Sequence, residues 1–197
     1  LHESYLQIFV QNDSAGMSVF AMQIDTPVET CDSLVIEGVI EEYNGLAEVH
    51  ANSYQVYKKA SPELDTKPLH AAIKAPSQYL GMLVEGEGSV IEKGSTFNGK
   101  YIRISQQNIP GSMMVYVSNF HHLFDHFDFD LLSIGDKIKV KGIVTEYNPE
   151  FPETRTYKMF LRTPSDLEYV GIPQYYLYLI FGGILLTAII VTGWVLV

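Results

Sequence analysis

The densest set of side chains able to do chemistry is FHHLFDHFDFD, Phe120 to Asp130. On a helix, His122 and His126 are four apart and share one face, and Asp125 lies four from His121. Two imidazoles and a carboxylate could hold Zn²⁺ with one position open. The spacing matches no established zinc signature, however. A helix capping a β-barrel, with Leu123, Phe124 and Phe127 buried, accounts for the same residues. No metal site is expected, and His122, Asp125 and His126 are its only candidates.

Aromatic side chains at strand spacing offer a second kind of chemistry. In Tyr5 to Val10, residues Leu6, Ile8 and Val10 alternate with Tyr5, Gln7 and Phe9. Period two puts the first set inward and the second outward. The same parity turns Ser18 and Phe20 outward, and later Tyr101 and Arg103, joined by Tyr116. Exposed rings beside an arginine can stack bases or sugars. Tyr5, Phe9, Phe20, Tyr101, Arg103 and Tyr116 are therefore the candidate ligand-binding residues. The competing account is that these rings pack neighbouring domains together. Lys137, Lys139 and Lys141 form an alternating basic row, which reads as the solvated face of a strand. No G-x-S-x-G, Walker loop or H-E-x-x-H occurs, so a non-enzyme without a cofactor is expected. The single cysteine, Cys31, excludes an internal disulfide framework.

The elements that must position these residues follow from an internal repeat. DSLVIEGVIEEYN, Asp32 to Asn44, matches DKIKVKGIVTEYN, Asp136 to Asn148, at an offset of 104. YLQIFVQN matches YIRISQQN at an offset of 96, so the second copy carries an insertion between its matched blocks. That insertion, His121 to Leu132, is expected to be helical at least in part. The second copy reads strand-strand-strand-helix-strand-strand, the order of an OB-fold, a five-stranded Greek-key barrel. Its first strand, Leu80 to Ile91, reads as broken by Gly86 and Gly88. By the same template the first copy lacks its opening strand, which would lie before Leu1. The expected class is all-β with two OB-fold-like barrels and a C-terminal transmembrane helix. The expected divisions are 1–65 for the partial first domain, 66–78 for a linker, 79–170 for the second domain and 174–197 for the helix.

That last segment is expected to cross a membrane. No charged residue follows Glu168, and Tyr175 to Trp194 is 19 helical steps, about 29 Å. Tyr175, Tyr176, Tyr178 and Trp194 would sit at the two interfaces. The chain as a whole carries a net charge of -10. Residues 1–75 hold 4 basic and 11 acidic residues, a net -7, and residues 76–170 hold 9 and 12, a net -3. Acidity argues firmly against nucleic acid for the first part and less strongly for the second.

GVIEEYNGLAEV, its echo GIVTEYN and the turn FVQNDSAGMSVF resemble the tandem OB-fold modules beside bacterial extracellular nucleases of the YhcR type. The layout, with YKMFLRTPSDLEYVGIP leading to a helix that ends in GWVLV, also resembles the sensor region of bacterial membrane-bound signalling proteins. This resemblance implies a single-pass, extracytoplasmic, non-catalytic sensor, cut at its helix, that acts as a homodimer on a small ligand or partner protein. A histidine kinase or diguanylate cyclase would follow Val197. The alternative it implies is a membrane-tethered protein that binds single-stranded nucleic acid or assists a nuclease.

Overall fold

A computed structural model describes residues 6–23, 26–58, 64–148, 156–172 and 174–195. The protein is mostly β, in two sheets. The first holds β1 (Leu6–Gln11), β2 (Gly16–Ala21), β3 (Ser33–Tyr43) and β4 (Leu46–Tyr57), in the order β1-β2-β4-β3. Its turns are chemically specified. The Asn12 side-chain oxygen accepts from the Ser14 and Ala15 amides, both at 2.9 Å, which is an Asx turn between β1 and β2. Asn44 and Gly45 both take positive φ, 51° and 87°, as a tight hairpin between β3 and β4 requires. A register shift falls between Glu37 and Gly38, where a Cβ on Gly38 would meet the His50 carbonyl oxygen at 2.3 Å.

The second unit contains β6 (Leu83–Thr96), β7 (Gly99–Ser105), β8 (Met113–Ser118), β9 (Lys137–Glu146) and β10 (Tyr157–Phe160), preceded by the two-residue β5 (Lys67–Pro68). Strand β6 pairs with β9 over Leu83–Ser89 and with β7 over Ser89–Thr96, bending at an irregularity between Val90 and Glu92. Strands β7 and β8 are antiparallel, β8 and β10 parallel, and β10 and β9 antiparallel. The ring β6-β7-β8-β10-β9 closes on β6, which is the OB-like Greek-key order. Short β11 (Leu167–Tyr169) extends β9 on its far side. The strand runs unbroken through Gly86 and Gly88, contrary to the sequence reading. Ile102, Ile104, Val115, Val140, Val144 and Met159 fill the barrel. The stretch read as a linker contains helix α1 (Leu69–Lys74), entered at Pro68, whose Leu69, Ala72 and Ile73 plug one end.

The expected helix over His121 to Leu132 is two short 3₁₀ turns instead, Phe124–His126 and Phe129–Leu131. His, Phe and Asp are all poor helix formers, and here Phe127, Phe129 and Leu132 reach the core without one.

The two units meet backbone to backbone. A Cβ placed on Gly16 would lie 2.2 Å from the Gly81 carbonyl carbon, and Gly81 itself has φ +73°. The Gln11 side chain bridges the junction, accepting from the Leu83 amide at 2.7 Å and donating to the Asp65 carbonyl at 2.6 Å. The Asn148 amide donates to the Asn44 carbonyl at 2.8 Å.

At the C-terminus lies helix α2 (Gln174–Val195). Among the described residues no helix is long and apolar enough to cross a membrane, which corrects the expected spanning segment. Tyr175, Tyr176, Tyr178, Gly182 and Gly183 interrupt the aliphatic sequence of α2. Tyr176 and Tyr178 are exposed and the Tyr175 ring lies 4.2 Å from that of Tyr176, tilted by 31°, while the side chain of Trp194 lies outside the described residues.

The repeat gives a direct stability comparison. Val144 is fully buried, whereas its counterpart in the first copy, Ile40, is 65% exposed. Met159→Ala, beside Val144 in the closed core, is expected to cost about 2–5 kcal/mol in urea unfolding. Ile40→Ala is expected to cost less than about 0.5 kcal/mol by the same measurement.

Candidate binding face

The outer face of β7, β8 and β10 gathers aromatic and cationic side chains. Tyr101 and Tyr116 are cross-strand partners, as are Arg103 and Met114, and the parallel pairing sets Lys158 beside Met114 and Phe160 beside Tyr116. Cross-strand partners point to one side of a sheet, so all six share a face. Alternation in β10 is the cause, since Met159 enters the core and leaves its neighbours outside.

Two clusters fix these groups. In the first, Glu92 on β6 accepts from the Tyr101 hydroxyl at 2.7 Å and from Arg103 Nε at 3.0 Å. The Tyr101 ring lies over Gly94, where a Cβ would come within 2.8 Å of its hydroxyl. The Tyr101 hydroxyl, and after it the Arg103 guanidinium, hold the Glu92 carboxyl below its ordinary value, while Glu92 pushes the Tyr101 hydroxyl up. In the second, the Lys158 ammonium sits 4.7 Å from the Tyr116 ring centroid and 5.0 Å from that of Tyr147. Both are cation–π distances. Burial pulls the Lys158 ammonium below its ordinary value. The Tyr116 ring also packs 5.6 Å from Phe160 and lies over Gly99, where a Cβ would meet its hydroxyl at 2.5 Å. Tyr116 is only 6% exposed, so Lys158 and Phe160 present more of this cluster to solvent.

The structure therefore brings Tyr101, Arg103 and Tyr116 together. Phe9 and Phe20 lie on the first sheet, opposite Ser18 and Gln7, and Tyr5 falls outside the described residues. The Phe20 ring lies 5.4 Å from His50. His50 Nε2 is 3.2 Å from Glu48, which also accepts from the Ser18 hydroxyl at 2.7 Å. The described contacts between the units include Gln11, Gly16, Gly81 and Asn148. Sequence reasoning missed Lys158, Phe160, Glu92 and Met114. The signal was present for β10, where Lys158 and Phe160 flank the inward Met159.

The other ionisable sets are accounted for locally. His121 and His122 stack at 4.8 Å, and His121 Nδ1 accepts from the Leu123 amide. Burial, and then neighbouring His122, lower the pKa of His121. Because Phe124–His126 is a 3₁₀ turn, His122 and His126 are not aligned on an α-helical face. Among the described residues no three His, Cys, Asp or Glu are grouped to hold a metal. Of the basic row, Lys139 and Lys141 both pair with Glu85 across the strand.

No protein-family model and no curated protein matches the chain. Solved structures do show likenesses. An OBody bound to hen egg-white lysozyme is 24% identical, with a TM-score of 0.41 over 55% of this chain and 97% of that one. The asparaginyl-tRNA synthetase of Pyrococcus horikoshii, complexed with asparaginyl-adenylate, is 16% identical, with a TM-score of 0.35 over 47% and 20%. A murine DNA binding protein bound with double-stranded DNA is 13% identical, with a TM-score of 0.36 over 85% and 91%. These are distant likenesses, and the fold rests on the strand order described above.

The Glu92 cluster makes a pH prediction. A carboxylate held down in the folded state contributes stability above its unfolded pKa and loses it as pH falls through the folded value. Carbon-detected NMR titration of Glu92 is expected to give a midpoint below the ordinary 4.5. In Tyr101→Phe, which removes the larger cause, the midpoint is expected to move back up toward that value.

Proposed function

We propose that the chain is a non-catalytic binding region that holds a ligand or partner on the outer face of its barrel. The observation supporting this is the half-buried Lys158 ammonium set between Tyr116 and Tyr147, next to Phe160 and the Glu92–Tyr101–Arg103 cluster. Rings and cations held in place before binding lose little freedom on contact, which favours recognition. In a sensing role, occupancy of the barrel would be passed to the first sheet through the Gly16–Gly81 contact and the Gln11 bridge.

A second reading is binding of single-stranded nucleic acid. It is favoured by the same stack, because bases pair readily with aromatic faces and cations. The near balance of charge in residues 76–170, 9 basic against 12 acidic, allows it there better than in the first part.

Met114, between Arg103 and Lys158, is a built-in reporter. Its methyl NMR signal is expected to shift when a single-stranded oligonucleotide, an oligosaccharide or an extended peptide occupies the face. Loss of at least about tenfold in affinity is expected in Tyr101→Ala with Lys158→Met. Binding of all three probes with no Met114 shift, and unchanged in that variant, would sink the proposal. Among positive results, oligonucleotide binding that weakens steeply between about 50 and about 200 mM salt selects the second reading.

A further inference from the structure

We infer that Lys158 is a covalent docking point, whose ε-amine condenses with the carbonyl group of an aromatic aldehyde or ketone to form an imine. This rests on the use of the outer β7, β8 and β10 face for binding proposed above, and it names the ligand chemistry that face would take.

Lys158 differs from the other described lysines. Lys58 pairs with Asp32 at 2.9 Å and Glu29 at 3.2 Å, Lys67 with Asp65 at 2.6 Å and Lys100 with Asp130 at 2.8 Å. Lys139 and Lys141 share Glu85, and Lys93 donates to the carbonyls of Asp130 and Leu132 at 3.0 and 2.7 Å. Each of these partners holds the proton on its amine. Lys74 and Lys137 are exposed, and water solvates their ammonium groups. Lys158 is half-buried, with its ammonium over the ring faces of Tyr116 and Tyr147. Among the described residues no carboxylate bonds to it. Rings favour an ammonium, but burial opposes it and lowers the pKa of this group.

The unprotonated amine is the nucleophile. Its nitrogen lone pair attacks the carbonyl carbon, and the π pair of the C=O bond moves to oxygen. A proton passes from nitrogen to that oxygen, giving a carbinolamine. Solvent protonates the new hydroxyl, the nitrogen lone pair expels it as water, and a protonated imine remains. No oxidant or reductant takes part. The protonated imine keeps a positive charge where the ammonium stood, between two ring faces. An acylated lysine would be neutral and would forfeit both contacts. The ring of the ligand has surfaces to stack on in Phe160, 5.6 Å from Tyr116, and in Tyr147, which is 42% exposed.

The probe is benzaldehyde, with sodium cyanoborohydride to reduce the imine in place and peptide mass spectrometry to locate the benzyl group, all on the full chain. Near neutral pH, Lys158 is expected to be labelled at least about tenfold faster than Lys74 or Lys137. In the urea-unfolded chain that advantage is expected to vanish. Lys158→Arg keeps a cation at this position and is expected to lose the fast reaction. Benzyl alcohol, the same ring without a carbonyl, is expected to shift the Met114 methyl signal and leave no adduct. Labelling of Lys158 no faster than that of the exposed lysines, equal selectivity in urea, or fast labelling that persists in Lys158→Arg would overturn the inference. In that case a Met114 shift with the oligonucleotide, oligosaccharide or peptide leaves the face a binding site and removes the covalent step alone. Absence of any Met114 shift removes both.

Discussion

Everything in the second unit depends on β6 bonding to two strands at once. Its Leu83–Ser89 half belongs to β9 and its Ser89–Thr96 half to β7, and the bend between Val90 and Glu92 lets one strand turn that corner. Closure buries both ends of the sheet and gives Ile102, Val140 and Val144 a common interior. It also sets the outer face, because β7, β8 and β10 can present Tyr101, Tyr116 and Lys158 together only while their inward neighbours are held. Among the described residues the first unit has the same strand order without that member; Leu34 and Ile36 remain half-buried and Ile40 exposed. The difference between the copies is one of enclosure rather than local conformation.

Much of the β architecture was legible in the sequence. The 104-residue offset paired β3 with β9, and period-two alternation turned Tyr101 and Arg103 outward together. What escaped was information carried by distant contacts. Weak helix propensity in FHHLFDHFDFD disfavours a capping helix, but the two 3₁₀ turns are set by where Phe127 and Phe129 meet the core. The Lys158 stack needs the parallel pairing of β8 with β10, which no neighbouring residues encode. The apolar tail shows a different failure. A charge-free run establishes helix and hydrophobicity, but composition over Tyr175 to Val197 did not translate into a described helix adequate for crossing a membrane.

Glycine marks the places where the aromatic face was built. Gly94 and Gly99 each leave room for a tyrosine ring that any side chain would displace. Glycine inside a strand generally weakens it, yet here these two are seats. Their role is visible only once the ring opposite is known.

The Gly16–Gly81 contact has a mechanical meaning. Main-chain atoms have no rotamers, so a contact made between two backbones cannot be relaxed by side-chain adjustment. A displacement of β6 near Gly81 would reach the start of β2 almost undiminished, whereas a layer of leucines would yield and absorb it. The junction therefore acts as a stiff bearing of very low compliance. Movement too small to disturb either sheet alone would still tilt one against the other.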